Sequence, residues 1–442
     1  MSDFKLIKDP LARRSFITGA AKTMLGIGTM PMLSQLAAAS PIGTTPAGTT
    51  PKIGNKVGGK AKAVIYLYMN GGMSHLDTFD TKPGAETQGP VESIKTSADG
   101  VMISEFFPSL AKQMHNVAVV NSMNSTQGSH GHGRYYMHTS YALRGTIQHP
   151  DLGAWSSRML EQSKRTLPGN VKIGGSSSGL GAGYFESKHA ALPIGDPEAG
   201  LQHSQLHKNV TENRFAARLK KLNSMNAGFT KKFDIKQARA YASMYDEAVS
   251  LMKSKDLEVF DLTQEKDEVR DRYGRGKFGQ GCLLARRLVE NGVKFIEVDD
   301  GGWDSHGNNF EQVETKGAIL DKALAALLAD LEASGLLETT LVVVATEFGR
   351  TPKIFAEREN GRNHYPQAFT CLLAGGGIKG GIKYGKTDKE GREIVENKVS
   401  VTDFNATIAT CMGLSLTKKV VSPSGRPFTV ADDGNVVADL FS

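Results

Sequence analysis

Short apolar runs that alternate with helix-like stretches constrain the fold of this 442-residue chain more than any other feature. Most runs are apolar at consecutive positions, as expected for a strand covered on both faces, and residues 294–298 have the β-branched and aromatic content of a short buried strand. The runs are residues 63–69, 117–120, 294–298, 340–345 and 369–374. Helical patterns lie between them, over residues 104–116, 151–162, 277–291, 311–334 and 403–412. The alternation predicts an α/β fold with a mostly parallel sheet and helices on both faces.

The loops that follow these strands carry hydroxyl, imidazole and carboxylate side chains. In a parallel sheet the carboxyl ends of the strands meet at one edge, so we expect these loops to converge. The groups are Ser74, His75 and Asp77; Ser129, His130 and His132; Asp304 and His306; Glu347 and Arg350; and, from a neighbouring loop, His364.

Convergent carboxylates and imidazoles predict a divalent metal site, because Asp304 and His306 are ligand types that such ions accept. Arg350 adds bidentate donors that suit an anionic group. Two plainer interpretations remain open. The Asp304 loop can be an ordinary polar turn, and Glu347 and Arg350 can form a structural salt bridge.

The N-terminus predicts export by the twin-arginine (Tat) machinery. Arg13 and Arg14 precede a modest apolar run that ends in three alanines at 37–39, the pattern of a cleaved signal peptide. A membrane anchor is the alternative, but the run is short and interrupted by glycine. We therefore expect a signal peptide over residues 1–39, no stable membrane span and a periplasmic or extracytoplasmic location.

The remaining chain divides into a linker and one domain. Residues 40–62 are rich in Pro, Gly and Thr and predict a flexible linker. Residues 63–442 predict a single domain, in which the polar stretch 201–274 forms a helical peripheral insertion.

Composition narrows the function classes. Three widely separated cysteines argue against a cysteine-based zinc site. Nothing in the sequence resembles an iron–sulfur cysteine array or a dinucleotide fingerprint, so a redox enzyme is disfavoured. The net charge of +7 includes +3 from the first 39 residues. The remaining +4 is spread over loops, so no nucleic-acid partner is expected.

Several motifs, in order, resemble one known family. They are MNGGMSHLDTFD at 69–80, WDSHGN at 303–308, TEFGRTP at 346–352, GRNHYP at 361–366 and SPSGRPFTVADDGNVVADLF at 422–441. Together they resemble the domain of unknown function 1501 (DUF1501) family over nearly the whole chain after residue 39. That family is grouped with the alkaline phosphatase/sulfatase superfamily. The resemblance implies a three-layer α/β/α sandwich with a mostly parallel central sheet and a metal-dependent, hydrolase-like site.

Individual residues resemble the superfamily pattern in part. The superfamily has a motif in which a strand is followed by an Asp and, after a short gap, by a His; Asp304 and His306 match this motif. His364 resembles the later, isolated metal-binding His of the superfamily. Where the superfamily has Asp-His after a strand, this chain has Glu347 and Phe348, so the carboxylate is kept and the histidine is absent.

The resemblance therefore implies a divalent ion, zinc-like, on Asp304, His306 and His364. Glu347 and Asp77 are expected to assist as ligands. The ion is expected to serve an exported hydrolase that acts on phosphate or sulfate esters, either small anionic esters or a sulfated or phosphorylated polymer.

Catalysis is assigned to three residues on the same basis. Arg350 is expected to hold the anionic group, and the loop of Ser129 and His130 to hold the nucleophile or a bound water, with Thr126 as another possible nucleophile. The rival hypothesis is a non-catalytic envelope protein of the same fold that binds an anionic ligand or polysaccharide. The histidine missing at Phe348 favours that rival.

Overall fold

A computed structural model describes residues 59–160, 166–175, 180–202, 204–232 and 246–442. The predicted signal peptide and most of the predicted linker lie outside the described residues. Export and the division of the chain into signal, linker and domain therefore stay predictions.

Nine strands form one sheet. In chain order they are β1 (Ala63–Asn70), β2 (Val117–Asn124), β3 (Asn170–Ile173), β4 (Leu192–Ile194), β5 (Phe295–Gly301), β6 (Thr340–Ala345), β7 (Phe369–Gly375), β8 (Ile382–Tyr384) and β9 (Val399–Ser400). Across the sheet the order is β8-β2-β7-β6-β1-β5-β3-β4, and β9 pairs with β2. Strand β7 runs antiparallel to β2 and β6, and the other pairings are parallel.

Helices cover both faces of the sheet. The described α-helices are α1 (His130–Thr139), α2 (Leu152–Met159), α3 (Glu212–Lys232), α4 (Asp267–Tyr273), α5 (Lys277–Glu290), α6 (Asn309–Ala333) and α7 (Val401–Cys411). Side chains of β1 alternate between two buried cores, with Ile65 and Leu67 in one and Tyr66 and Tyr68 in the other. Helices α5 and α6 contribute to the first core, and α1, α2 and α7 to the second. The predicted three-layer α/β/α sandwich with a mostly parallel sheet is confirmed.

Shorter elements complete the fold. Two-stranded ladders pair Gly349–Arg350 with His364–Tyr365, Ser93–Lys95 with Met102–Ser104, Lys386–Thr387 with Ile394–Glu396, and Val420–Val421 with Pro427–Phe428. The 3-10 helices are Glu86–Gln88, Leu110–Asn116, Ser187–His189, Lys255–Phe260, Leu262–Gln264, Leu336–Thr339, Ala356–Arg358 and Ala438–Leu440.

The helix predicted over residues 104–116 is shorter than expected. Ser104 is the last residue of the short strand Met102–Ser104. Only Leu110–Asn116 is helical, and it forms a 3-10 helix. Pro108 explains the break, because a proline disfavours helical backbone at the residue before it. The Asp321 carboxylate then accepts the backbone N–H groups of Ser109 and Leu110 at 3.1 and 2.6 Å.

The stretch 201–274 contains both exposed and buried parts. Helix α3 is exposed along much of its length, whereas Phe260, Leu262 and Tyr273 are buried in the core. No helix among the described residues is long and apolar enough to cross a membrane.

The sheet topology brings four loops to one edge. Strands β1, β5 and β6 are adjacent and parallel, and β2 runs in the same direction because the antiparallel β7 separates it from β6. The segments after all four strands therefore leave the sheet at the same edge.

Candidate metal centre

Four side chains meet at that edge: one follows β2, two follow β5, and the fourth comes from a neighbouring loop. His130, Asp304, His306 and His364 each offer one ligand atom, and these atoms all lie within 4.8 Å of one another. The Nε2 atoms of His306 and His364 are 3.0 Å apart. Distances from Asp304 oxygens to Nε2 are 3.3 Å for His130, 3.2 Å for His306 and 3.6 Å for His364. Ligand atoms about 2.0–2.1 Å from one tetrahedral zinc ion lie roughly 3.3 Å apart, so the spacing fits a single ion.

The three imidazoles are oriented alike, each with its Nδ1 against an oxygen atom. The pairs are His130 with Glu347 Oε1 at 2.7 Å, His306 with Asn363 Oδ1 at 3.0 Å, and His364 with the Gly128 carbonyl at 2.9 Å. These oxygens accept hydrogen bonds, so each Nδ1 donates, and the neutral ring keeps a lone pair on Nε2. The three lone pairs converge, and the buried His130 Nε2 has no hydrogen-bond partner. Because converging lone pairs repel unless a cation lies between them, this donor set fits a metal ion.

Glu347 lies behind the cluster. Its carboxylate is buried and accepts hydrogen bonds from the Tyr68 hydroxyl and the Gly71 N–H, both at 2.9 Å, as well as from His130. The hydrogen bond to Glu347 is the main cause that raises the pKa of His130 above its ordinary value. Glu347 was predicted as a metal ligand, but the structure places it outside the four-residue cluster, where it orients His130.

Arg350 is fully buried, and its donors are engaged by the protein. Nε donates to the Gly72 carbonyl at 2.8 Å and Nη1 to the Arg362 carbonyl at 3.1 Å. Nη2 contacts both the Gly71 carbonyl and Asp304 Oδ1, the latter at 2.5 Å. Each nitrogen of the guanidinium therefore has a protein partner, and the role of holding an anionic substrate stays a prediction.

The contact with Arg350 also determines the charge state of Asp304. Partial burial would raise the pKa of Asp304, but the hydrogen bond and charge of Arg350, together with His130 and His306, outweigh it. The pKa of Asp304 therefore lies below its usual range, and the side chain is ionised. Burial, helped by the charges of His130 and Arg350, lowers the pKa of His364, which favours the neutral form that binds metals.

Asp77 was predicted to assist as a ligand, and the structure places it elsewhere. Its fully buried carboxylate lies 2.9 Å from Arg362 Nε and accepts hydrogen bonds from Ser74 Oγ at 2.6 Å and Asn309 Nδ2 at 2.8 Å. These partners occupy its oxygens, so Asp77 stabilises the loop after β1 and is not part of the four-residue cluster.

The loop before α1 borders the cluster through the Gly128 carbonyl that binds His364. The next residue, Ser129, is exposed and is the N-cap of α1, and its Oγ lies 2.8 Å from His132 Nδ1. Its hydroxyl does not cap the backbone of the helix. His130, predicted as catalytic, is one of the four clustered residues.

Phe348 closes one side of the cluster. Its ring is buried, with its centroid 4.5 Å from that of His364 and 5.0 Å from that of His130. An apolar ring thus stands where the resemblance would place a further metal-binding histidine. The four-residue cluster is the one group of this kind among the described residues.

The glycine pair after β1 permits these close approaches. Gly71 and Gly72 both have positive φ, 127° and 81°. A Cβ on Gly71 would lie 2.5 Å from the Asp304 backbone nitrogen, and one on Gly72 would lie 2.7 Å from the Phe348 ring. Any other residue at these positions would separate the loops that carry the cluster.

The sequence did not identify the groups that orient the side chains of the four-residue cluster. Tyr68 lies inside an apolar strand, and the Gly128 contribution is a backbone carbonyl, so neither had a signal. Asn363 directly precedes His364 in the quoted GRNHYP motif, which could have indicated its role.

The model of one family, described as a protein of unknown function (DUF1501), matches residues 61–441. No curated protein matches the sequence.

Solved structures show distant likenesses. The lipoteichoic acid synthase LtaP from Listeria monocytogenes is 10% identical, with 87% of this chain and 77% of that chain covered and a TM-score of 0.40. The PsFucS1 sulfatase from Pseudoalteromonas sp. is 13% identical, with 86% and 75% covered and a TM-score of 0.38. The phosphonate monoester hydrolase of Agrobacterium radiobacter is 9% identical, with 86% and 77% covered and a TM-score of 0.39. At these values the likenesses assign no activity to this chain.

Proposed function

The chain belongs to the DUF1501 family, and from its site we propose that it is an exported, metal-dependent hydrolase of phosphate or sulfate esters. One observation carries this proposal: three histidines turn their Nε2 atoms toward one another and toward Asp304, while oxygen acceptors hold their Nδ1 atoms. Such outer hydrogen bonds are typical of histidines that bind metals.

His130, Asp304, His306 and His364 would hold the ion. Three imidazoles and one carboxylate are ligands that zinc accepts, so zinc is the proposed metal. A divalent ion bound there would polarise an ester oxygen or generate a nucleophile near neutral pH. Glu347 would keep His130 in position.

Ser129 is the proposed nucleophile, and a bound water molecule is the alternative nucleophile. Its hydroxyl is exposed and lies 2.8 Å from His132 Nδ1, within reach for that imidazole to accept the hydroxyl proton. The first N–H groups of α1 have no partner within the helix, and a helix N-terminus favours an anionic group. These features support a phosphate or sulfate ester, either a small molecule or part of a polymer, as substrate.

The test is turnover of an aryl phosphate and an aryl sulfate by the zinc-loaded protein. We expect His306→Ala to lose both metal and turnover, and Ser129→Ala to keep the metal and lose at least about a hundredfold in turnover. Thr126→Ala, which removes a neighbouring exposed hydroxyl, is the matched control and should remain active. A zinc-loaded wild-type protein without turnover of either ester would contradict the proposal.

A non-catalytic binding protein is the second candidate. The engagement of every nitrogen of Arg350 and the apolar ring of Phe348 favour it, because both leave fewer groups for chemistry on a substrate. Binding of a sulfated polysaccharide by metal-loaded protein, unchanged in Ser129→Ala and without turnover, would support this function over hydrolysis.

Export by the Tat machinery is proposed from the sequence of residues 1–39. Replacing Arg13 and Arg14 by lysine should retain the protein in the cytoplasm, as measured by cell fractionation. Export that is unchanged in this variant would contradict the proposed route.

A further inference from the structure

Helix α3 (Glu212–Lys232) has a charge that the metal centre does not explain. It carries six basic residues and a single acidic one, Glu212, so positive charge is gathered on one helix and not only spread over loops as predicted. Two of its large apolar side chains are also exposed, Met225 at 64% and Phe229 at 52%. Exposed apolar side chains of this size on a cationic helix indicate an interaction surface.

Cationic and apolar side chains share one face of α3. The members of this face, which we call the basic stripe, are Arg214, Arg218, Lys221, Met225, Phe229 and Lys232. Their spacings are four, three, four, four and three residues, which places them on one side of a helix. All six are exposed, whereas the neighbouring row of Phe215, Leu219 and Leu222 is half-buried. The basic stripe therefore faces outward.

We propose that the basic stripe binds α3 to the surface of an anionic lipid bilayer. Lysine and arginine attract anionic headgroups, and Met225 and Phe229 can enter the boundary between headgroups and acyl chains, as in amphipathic helices that lie in the membrane interface. A soluble polyanion would engage the cations but gain little from the exposed apolar side chains. The inference goes beyond the proposed function, because none of these residues belongs to the metal centre.

The experiment measures partition of the full chain onto phosphatidylcholine vesicles with and without phosphatidylglycerol. Each basic residue near an anionic surface contributes about fivefold to binding, so Arg218→Gln with Lys221→Gln should weaken it by about thirtyfold. Met225→Ser with Phe229→Ser should weaken it as well. Residues 1–58 are identical in every variant, so the differences between variants belong to α3.

The matched control is Lys220→Gln with Lys231→Gln, which changes the charge of the same helix equally but lies off the basic stripe. We expect this variant to bind nearly as well as wild type, with circular dichroism and thermal melting to verify folding. Equal losses in the two charge variants, or no preference of wild type for phosphatidylglycerol, would overturn the proposal. It would also be overturned if dextran sulfate competed fully and the Met225/Phe229 variant bound vesicles normally, a result that would identify a polyanion as the partner.

Discussion

Replacing Glu347 by glutamine tests the proposal that Glu347 orients His130 as a metal ligand. The substitution keeps the shape of a buried side chain but removes the negative charge that faces His130 Nδ1 at 2.7 Å. A hydrogen bond to a charged group contributes about 1.5–3 kcal/mol and one between neutral groups about 0.5–1.5 kcal/mol. The loss of about 1–1.5 kcal/mol corresponds to roughly a tenfold weaker zinc affinity.

Calorimetric titration, or competition with a chromophoric chelator, measures this affinity. Glu297→Gln is the matched control, because Glu297 is also a buried carboxylate and contacts a histidine, His138, at 3.2 Å. Glu297 is not part of the metal centre, so its variant should bind zinc as wild type does. Equal affinities in wild type and Glu347→Gln, or equal losses in both variants, would refute the reasoning.

Three further predictions follow from the same contacts. Asp77→Ala should lower the free energy of unfolding by about 3–5 kcal/mol in chemical denaturation, because it removes one partner of the fully buried ion pair with Arg362. The zinc stoichiometry should stay unchanged, and loss of zinc from the folded variant would restore Asp77 as a ligand. Arg350→Lys should cost about 1–3 kcal/mol of stability, since lysine cannot reproduce the donors that bind two loops and Asp304, and an unchanged denaturation midpoint would contradict this. Zinc affinity should fall as pH decreases through the pKa of His130, because a protonated imidazole cannot bind zinc. This pKa lies above its ordinary value in the metal-free protein. A pH-independent affinity would contradict the assignment of His130 as a zinc ligand.

The sheet was largely predictable because its central strands are buried on both faces. Consecutive apolar residues in β1 and β6 gave clear signals, and the bounds of α5 and α6 agree with prediction within two residues. The short strands β3 and β4 were missed, since three or four residues between polar loops carry too little pattern to recognise.

Part of the site was predictable for a topological reason. Asp304, His306 and His364 were expected together, and the parallel strands do bring their loops to one edge. The sequence could not show which of His130 and His132 would face Asp304, because the two lie two residues apart and the start of α1 decides their directions.

Carboxylates at similar sequence positions cannot be told apart without their partners. Asp77 and Asp304 both follow a strand and a glycine pair, yet buried Arg362 binds the first and three histidines surround the second. Likewise, Arg350 has the motif context of an anion-binding residue, and only the structure shows its donors engaged with backbone carbonyls and Asp304.

The most direct test of the metal centre is the metal content of the purified, folded protein, measured by elemental analysis after zinc loading and dialysis. The account predicts one ion per chain in wild type, and loss of that ion in His306→Ala and in His364→Ala. Wild-type protein without a bound ion, or histidine variants that retain it, would contradict the assignment of His130, Asp304, His306 and His364 as its ligands.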